Sequence, residues 1–508
     1  MNKLQNIIIV AGGENTRFKE MSIFPKILLP TLDYPSILSY NCELFKDYNI
    51  YLIINDRYEL MTKQYIRKNQ LNVNVLVSHN HNGSANTIKE LVNDLPKENV
   101  LFVWSDLILD QIGLDSIIQG IQESNKPNII FTYNGNYRFK ATDGYIVPII
   151  GNGNVPGIYY TQSLNKVLDN YIYEQYNFDY LEIFKDYLSD QYQTKKYLGT
   201  IIEFRDLDTY LAYYKRTNKK TSTRFFNKMD IESNILTKKC INKDYNHLIE
   251  REINWYNKCK ENNYKNIPII YETSKENHFI KMEYLEGYQN IYEFIKQCDD
   301  NEFNIFMKSY FKAVEDLHKS NQVKIDYQQA FEDFYIEFYD KVIKRCNNIS
   351  GILYNYDENK LKEILNKAFY RIFELIGKDN INNYSFTHGD LNGSNVMYNQ
   401  NTHDIKFIDP RGYFGKTQLI GPASYDYAKI MYCFSGYDDF NNGNSRFTKD
   451  WYDEPQELRH YEFGENQKLY YIMVGIIWVA LAEYISQDVF KANIAYQHGL
   501  KILNNSIL

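Results

Sequence analysis

The sequence predicts an α/β protein of two domains in series. Three observations lead there. A chain of 508 residues exceeds what one hydrophobic core organises. Its first half alternates short apolar runs with helix-like segments. Its second half opens on β-like segments and then turns mostly helical.

In the first half, Ile7–Val10, Tyr51–Ile54, Val73–Val77, Val100–Trp104 and Asn128–Thr132 are apolar runs of strand length. Pro35–Tyr48 and Asn86–Asp94 read as helices between them. The alternation predicts a mostly parallel sheet covered by helices on both faces. Gly151-Asn152-Gly153-Asn154 reads as a turn before a strand at Gly157–Tyr160.

The polar stretch Lys215–Ser222 breaks the periodicity and predicts a linker. The expected organisation is a first domain over 1–215, a linker over 216–222, a β-rich lobe over 223–290 and a helical lobe over 291–508. Within the β-rich lobe, Arg224–Ile231, Asn234–Ile241 and Phe279–Tyr284 read as strands and 245–262 as a helix. The apolar stretch Tyr470–Ile485 is interrupted by Gly475, is too short to span a bilayer and predicts a buried helix.

Composition narrows the function classes. A net charge of -7 supplies no basic field, so nucleic acid is not an expected partner. The abundance of Tyr (48) and Phe (29) reads as compositional bias rather than as a binding device. Six scattered cysteines without a CxxC pair argue against a zinc ribbon or a disulfide framework. With no signal peptide and no membrane insertion predicted, a reduced cytoplasmic setting is expected.

Two motifs carry chemistry. The first follows the opening apolar run: Ala11-Gly12-Gly13-Glu14-Asn15-Thr16-Arg17-Phe18, then Pro25-Lys26. Glycines after a strand permit positive φ and close approach of backbone N–H groups to an anion. Arg17 and Lys26 supply charge for a triphosphate and a developing pyrophosphate. Asp106 ends the run Val103-Trp104-Ser105, at the strand edge where α/β sheets bind ligands.

This stretch resembles the nucleotidyltransferases that make nucleotide-activated sugars and alcohols, over roughly residues 1–215. The resemblance implies a Rossmann-like fold with Gly12 and Gly13 holding an NTP, Arg17 and Lys26 on its phosphates, and Asp106 on Mg²⁺. Gly83-Ser84-Ala85-Asn86-Thr87 resembles the segment that contacts the base. Asn86 is then a nucleotide contact or, equally, a helix cap. The family often carries a second metal aspartate. In Tyr197-Leu198-Gly199-Thr200, Gly199 falls where it is expected, and Asp206 and Asp208 follow without a clear register.

The second motif is Thr387-His388-Gly389-Asp390, with Asn395 five residues on and Asp409 after an apolar run. Phosphoryl transfer needs a group to orient the acceptor hydroxyl and oxygen ligands for Mg²⁺. Asp390 fits the first role, Asn395 and Asp409 the second. The segment resembles the aminoglycoside phosphotransferase and choline kinase group, a protein-kinase-like fold, over about residues 222–508.

That resemblance implies a strand lysine paired with a helix glutamate on the ATP phosphates. Lys238 and Glu252 are preferred, with Lys239 and Glu250 as rivals. It also implies a hinge at Glu283-Tyr284-Leu285 that meets adenine through its backbone. No glycine lies between Ser222 and Ser233, so the phosphate loop departs from the glycine-rich pattern. Arg411, in Asp409-Pro410-Arg411-Gly412, either meets a substrate anion or braces Asp426.

Together the motifs predict a bifunctional enzyme. A kinase uses ATP and Mg²⁺ to phosphorylate a small hydroxyl compound. A transferase then couples that phosphate to a second NTP, with CTP favoured because the first domain is short. The product is expected to be a nucleotide-activated precursor for surface polysaccharide, such as capsule. The alternatives are a kinase with a nucleotide-sensing first domain, motivated by Gly199, and a non-catalytic scaffold of a polysaccharide assembly complex.

Overall fold

A computed structural model describes residues 4–31, 33–80, 83–142, 145–169, 191–215, 227–441 and 458–507. The expected linker 216–222 falls outside them. The chain divides into two compact units: Met1–Thr217 with Ile349–Tyr354 and Ile485–Ala492, and Asn218–Asn348 with Asn355–Tyr484 and Asn493–Leu508.

The first unit is built on a seven-stranded sheet. Its strands and their neighbours are β1 (Asn6–Ala11), β2 (Asn49–Asn55), β3 (Asn74–Ser78), β4 (Glu98–Trp104), β5 (Leu107–Leu109), β6 (Asn128–Thr132), β7 (Tyr137–Thr142), β8 (Tyr145–Gly153), β9 (Ile158–Ser163), β10 (Tyr192–Lys196) and β11 (Ile201–Glu203). The sheet order is β10-β6-β9-β4-β1-β2-β3. β1 pairs in parallel with β2 and β4, which explains its unbroken apolar run: Ile7, Ile8 and Ile9 are all fully buried.

All five predicted strands form. The sheet is mostly parallel, with β9 antiparallel to both β4 and β6. The predicted helices are α1 (Ile37–Leu44), shorter than expected, and α3 (Ser84–Glu90). Between them lies α2 (Glu59–Asn69), and α4 (Gln111–Gln122) follows β5.

The expected turn at 151–154 is instead, over 151–153, the end of β8, paired antiparallel with β7. Asn154 extends that pairing through its side chain, accepting from Ala141 N at 2.7 Å and donating to Ala141 O at 3.0 Å. An amide side chain thus imitates a ladder residue, which composition alone does not reveal.

The second unit opens on a four-stranded antiparallel sheet of β12 (Asn227–Glu232), β13 (Ile235–Cys240), β14 (Ile270–Ser274) and β15 (Phe279–Glu283), in the order β12-β13-β15-β14. Ser233 and Asn234 both adopt positive φ, 50° and 62°, and close β12 onto β13 in a two-residue hairpin. The helix Asn246–Glu261 packs on the sheet and buries Ile249, Ile253 and Tyr256, while its Trp255 stacks on Phe386 and donates to Thr387 O at 2.9 Å.

The remainder is mainly helical. The helix Asp300–Ser320 starts in a capping box between Asp299 and Glu302. Short antiparallel pairings interrupt the helices: β16 (Gln289–Asn290), β17 (Gln322–Lys324), β18 (Asn383–Phe386), β19 (Val396–Asn399) and β20 (Asp404–Phe407). The apolar stretch near 470–485 forms the helix Gln467–Tyr484, buried at twelve positions. Among the described residues no helix is long and apolar enough to cross a membrane.

Candidate active sites

In the first unit, parallel pairing aligns the carboxyl ends of β1 and β4. Val10 is opposite Trp104, and Ser105 N donates to Val10 O at 3.1 Å. The Gly12–Arg17 loop and Asp106 therefore emerge side by side and line one crevice, with Lys26, Ser84 and Thr87. The loop is tied from beneath. Asn55 Nδ2 donates to Gly12 O at 3.3 Å, and the Tyr58 hydroxyl donates to Glu14 O at 3.1 Å.

Neither Gly12 nor Gly13 uses positive φ, contrary to the expected reason for glycine there. That conformation falls to Asn15, at 55°. Gly12 sits close to α3, where a Cβ would lie a tight 3.1 Å from Thr87 Cγ2. At Gly13 a Cβ would meet nothing within 4 Å.

Arg17 is exposed at the mouth of the crevice. Lys26 is buried, with its Nζ donating to Phe204 O and Arg205 O, both at 3.3 Å, and 3.6 Å from Asp106 Oδ2. Burial lowers its pKa, and Asp106 opposes that shift. Asn86 neither caps α3 nor lines the crevice. Gly83 holds the N-cap position, Asn86 is buried in the first turn, and Ser84 and Thr87 face the opening.

Gly199 does not stand in for a metal aspartate. It packs on the start of α4, where a Cβ would lie 2.0 Å from Asp110 Oδ1 and 2.4 Å from Gly113 N. Asp110 caps α4, accepting from Gly113 N at 2.8 Å, and also accepts from Thr200 N at 2.9 Å. Among the described residues, Glu203 is a carboxylate that lines a cavity together with Asp106.

β11 pairs antiparallel with β5, setting Glu203 opposite Leu107, and Phe204 N donates to Asp106 O at 2.9 Å. Glu203 lines a cavity with Asp106 and Arg17, and Arg205 Nε lies 2.7 Å from its Oε2. Burial raises the Glu203 pKa, and the Asp106 charge adds to the rise. Two hard carboxylates at one edge fit a divalent cation such as Mg²⁺. The sequence signal for Glu203 is confined to the short run Ile201-Ile202-Glu203 after Gly199, far along the chain from Asp106.

In the second unit, Lys238 on β13 and Glu252 on the covering helix are both buried, 2.7 Å apart. Lys238 Nζ also lies 2.5 Å from Asp409 Oδ1. The pairing involves Lys238 and Glu252 rather than Lys239 or Glu250; Glu250 instead reaches His278 at 3.5 Å. Burial opposes the Lys238 charge, but Asp409 and Glu252 together outweigh it and raise its pKa.

The His388-Gly389-Asp390 loop follows β18. Asp426 accepts from His388 N at 3.0 Å and Gly389 N at 2.7 Å. His388 Nδ1 accepts from Asp390 N at 3.2 Å, and Nε2 meets Ile408 O at 3.0 Å. Burial lowers the His388 pKa, so the ring is neutral with its proton on Nε2. It acts as a strut between the loop and the strand leading to Asp409.

Asn395 Nδ2 donates to Asp390 O at 2.9 Å and Oδ2 at 3.2 Å, while Ile408 N donates to Asn395 O at 3.0 Å. Asp390, Asn395 and Asp409 are thus brought together. Asp409 adopts a φ of 55°, a strained value for a non-glycine. A carboxylate and an amide oxygen are hard donors that fit Mg²⁺ alongside nucleotide phosphates.

A cavity of about 300 Å³ opens over Lys238, Asp390 and Asp409. Lys429, on the helix Ala423–Tyr432, reaches Asp390 Oδ1 at 3.1 Å. Arg411 does not brace Asp426. It forks onto Glu337 at 2.8 and 2.6 Å and donates to the Tyr425 hydroxyl at 2.5 Å. Glu283 ends β15 and Leu285 follows two residues later, both outside this cavity's lining; Glu283 Oε2 accepts from Ile269 N at 3.1 Å. Sequence reading did not find Glu337 or assign Lys429 a place at the site, because both come from helices remote from the motif.

Residues 6–221 match the nucleotidyl transferase family, so the first unit contains a nucleotidyltransferase domain with a Rossmann-like α/β fold. Solved structures align with this part of the chain. The inositol-1-phosphate CTP transferase from T. maritima is 12% identical, with a TM-score of 0.33, and the match covers 41% of this chain and 91% of that one. The CTP:phosphocholine cytidylyltransferase from Streptococcus pneumoniae is 15% identical, with a TM-score of 0.34, covering 41% and 96%. A UDP-glucose pyrophosphorylase bound to UDP-glucose is 14% identical, with a TM-score of 0.35, covering 42% and 99%. No curated protein matches the chain.

Proposed function

We propose that the chain is a bifunctional enzyme, a small-molecule kinase joined to a nucleotidyltransferase that uses the kinase product. The observation that carries this reading is that each unit has its own crevice with basic side chains beside carboxylates. The order follows from chemistry: nucleotidyl transfer needs a phosphate nucleophile, and a kinase makes one.

In the kinase half, the acceptor hydroxyl donates to Asp390, which takes its proton as the acceptor oxygen bonds to the γ-phosphorus. The bond to the bridging oxygen breaks and ADP leaves. Lys238, held by Glu252, binds the ATP phosphates, and Lys429 offsets charge beside Asp390. Asp409 and Asn395 would hold Mg²⁺, which neutralises phosphate charge when bound. The backbone of Glu283–Leu285 remains the proposed adenine contact, and the fold of this half is proposed to be protein-kinase-like.

In the transferase half, a phosphate oxygen of the acceptor attacks the α-phosphorus of the NTP and pyrophosphate leaves. Gly12 and Gly13 give the triphosphate access to loop N–H groups, Arg17 binds its outer phosphates and Lys26 orients the attacking phosphate. Asp106 and Glu203 would hold the metal. CTP is the first NTP to test, and the product is proposed to feed surface polysaccharide synthesis.

The test incubates the full-length protein with ATP, CTP, Mg²⁺ and a metabolite mixture, followed by mass spectrometry. A compound that gains one phosphate and then a nucleotide supports both halves. Phosphorylation without pyrophosphate release, with CTP, UTP or another NTP, removes the transferase half. No ATP-dependent phosphorylation of any hydroxyl compound removes the kinase half.

A further inference from the structure

The lining of the cavity over Asp390 carries six cationic side chains and four carboxylates. Lys238 is matched by Glu252 and Asp409. The other lining cations are Arg251, Lys341, Arg345, Arg411 and Lys429, with Glu337 and Asp390 as the remaining lining carboxylates. Arg411 and Lys341 share the one Glu337 carboxylate, both meeting its Oε1. Arg345 stands one helical turn beyond Lys341, with Glu483, which is not in the lining, 3.7 Å away.

This surplus of positive charge is partly desolvated. Burial and the neighbouring Arg411 push Lys341 down to about 7, outweighing the attraction of Glu337. Ile476, Ile477, Ala480 and Leu481 add an apolar part to the same lining, which screens little, and Arg345 Nη1 donates to Ala480 O at 3.1 Å. A neutral acceptor would leave the surplus uncompensated, and a cationic one would add to it.

Three of the five tyrosines lining the cavity already face cations of the protein. Tyr413 and Tyr425 already face Arg411, at 4.0 and 5.4 Å, and Tyr425 and Tyr432 face Lys429, at 5.9 and 5.2 Å. Their rings are occupied by the protein's own cations.

We propose that the kinase acceptor is a hydroxycarboxylic acid, with its carboxylate at Lys341 and Arg345 and its hydroxyl directed to Asp390. This rests on the kinase reading above but is tested separately, because anion binding is read without turnover. It departs from a choline-like acceptor.

The experiment titrates glycerate, glycerol, ethanolamine and glycerol 3-phosphate into the full-length protein by calorimetry, with and without a non-hydrolysable ATP analogue and Mg²⁺. Glycerate is expected to bind at least about ten-fold tighter than glycerol or ethanolamine. Lys341→Met and Arg345→Met are each expected to lose about ten-fold for glycerate, with ATP-analogue affinity kept. Lys344→Met, an exposed control on the same helix, should bind as the parent does.

Equal or tighter binding of glycerol or ethanolamine overturns the proposal. So does glycerate binding that both variants retain, or no anion binding at millimolar concentration. Tighter binding of glycerol 3-phosphate, lost in both variants, overturns the carboxylate and assigns the site to a phosphomonoester. Failure of the ATP analogue to bind overturns the kinase reading instead.

Discussion

Lys238 Nζ lies 2.5 Å from Asp409 Oδ1, so one lysine joins the strand–helix ion pair to the carboxylate proposed to hold metal. Asp409 sits at a positive φ of 55°, and this contact is one of those holding it there. Lys238→Met should therefore act twice, removing a phosphate-binding cation and releasing Asp409. Phosphoryl transfer is expected to fall by about 100-fold or more, the scale for losing one preorganised group at developing charge. Because Glu252 would be left buried without its cation, stability should drop by about 3–5 kcal/mol. The double variant Lys238→Met/Glu252→Gln separates the effects: it should recover stability in a denaturant melt but not activity. Pyrophosphate release by the first unit should persist in both.

Glu203 and Asp106 make a second prediction. If both hold the metal, Glu203→Gln and Asp106→Asn should each cut pyrophosphate release by about 100-fold at fixed Mg²⁺, with part of the loss recovered at higher Mg²⁺. Wild-type Mg²⁺ dependence in Glu203→Gln would remove Glu203 from the metal site.

What could be read from the sequence follows from where the physics is local. The strand β1 was legible because burial on both faces demands a continuous apolar run. Asp390, Asn395 and Asp409 were legible because one loop and one hairpin fix their spacing. Glu203 was not, because its place depends on the antiparallel pairing of β11 with β5, almost a hundred residues earlier. Lys341 and Arg345 were hidden for a similar reason: on the sequence they look like solvent-facing charges of a helix. Asn86 misled because an asparagine near a helix start suggests a cap, while the N-cap is Gly83, with a φ of 87°.

Gly199 gives a prediction with a sign opposite to the one its motif position suggests. Restoring an acid with Gly199→Asp should not improve metal use. Its Cβ would press on Asp110, displacing the cap of α4. Gly199→Ala already introduces that clash and should cost about 1–3 kcal/mol by thermal or urea unfolding. An Asp variant that is as stable as the parent and needs less Mg²⁺ would return Gly199 to the metal site.

Lys341 gives a prediction about pH. Its folded pKa is lowered to about 7 from an unfolded value of 10.5, by burial first and Arg411 second. Between those values the unfolded chain binds a proton that the folded one does not, so stability rises with pH across that window. Below pH 7 both states are protonated and the full penalty of burying this charge remains. Glu337 cannot produce the same slope, since the two cations on it lower its pKa and its own contribution is lost only in acid. Lys341→Met removes the titrating group. Melting temperatures taken from pH 7 to 10 should therefore rise less steeply in Lys341→Met than in the parent, with the variant the more stable near pH 7. Parallel profiles for the two proteins would mean that Lys341 keeps its proton through this range.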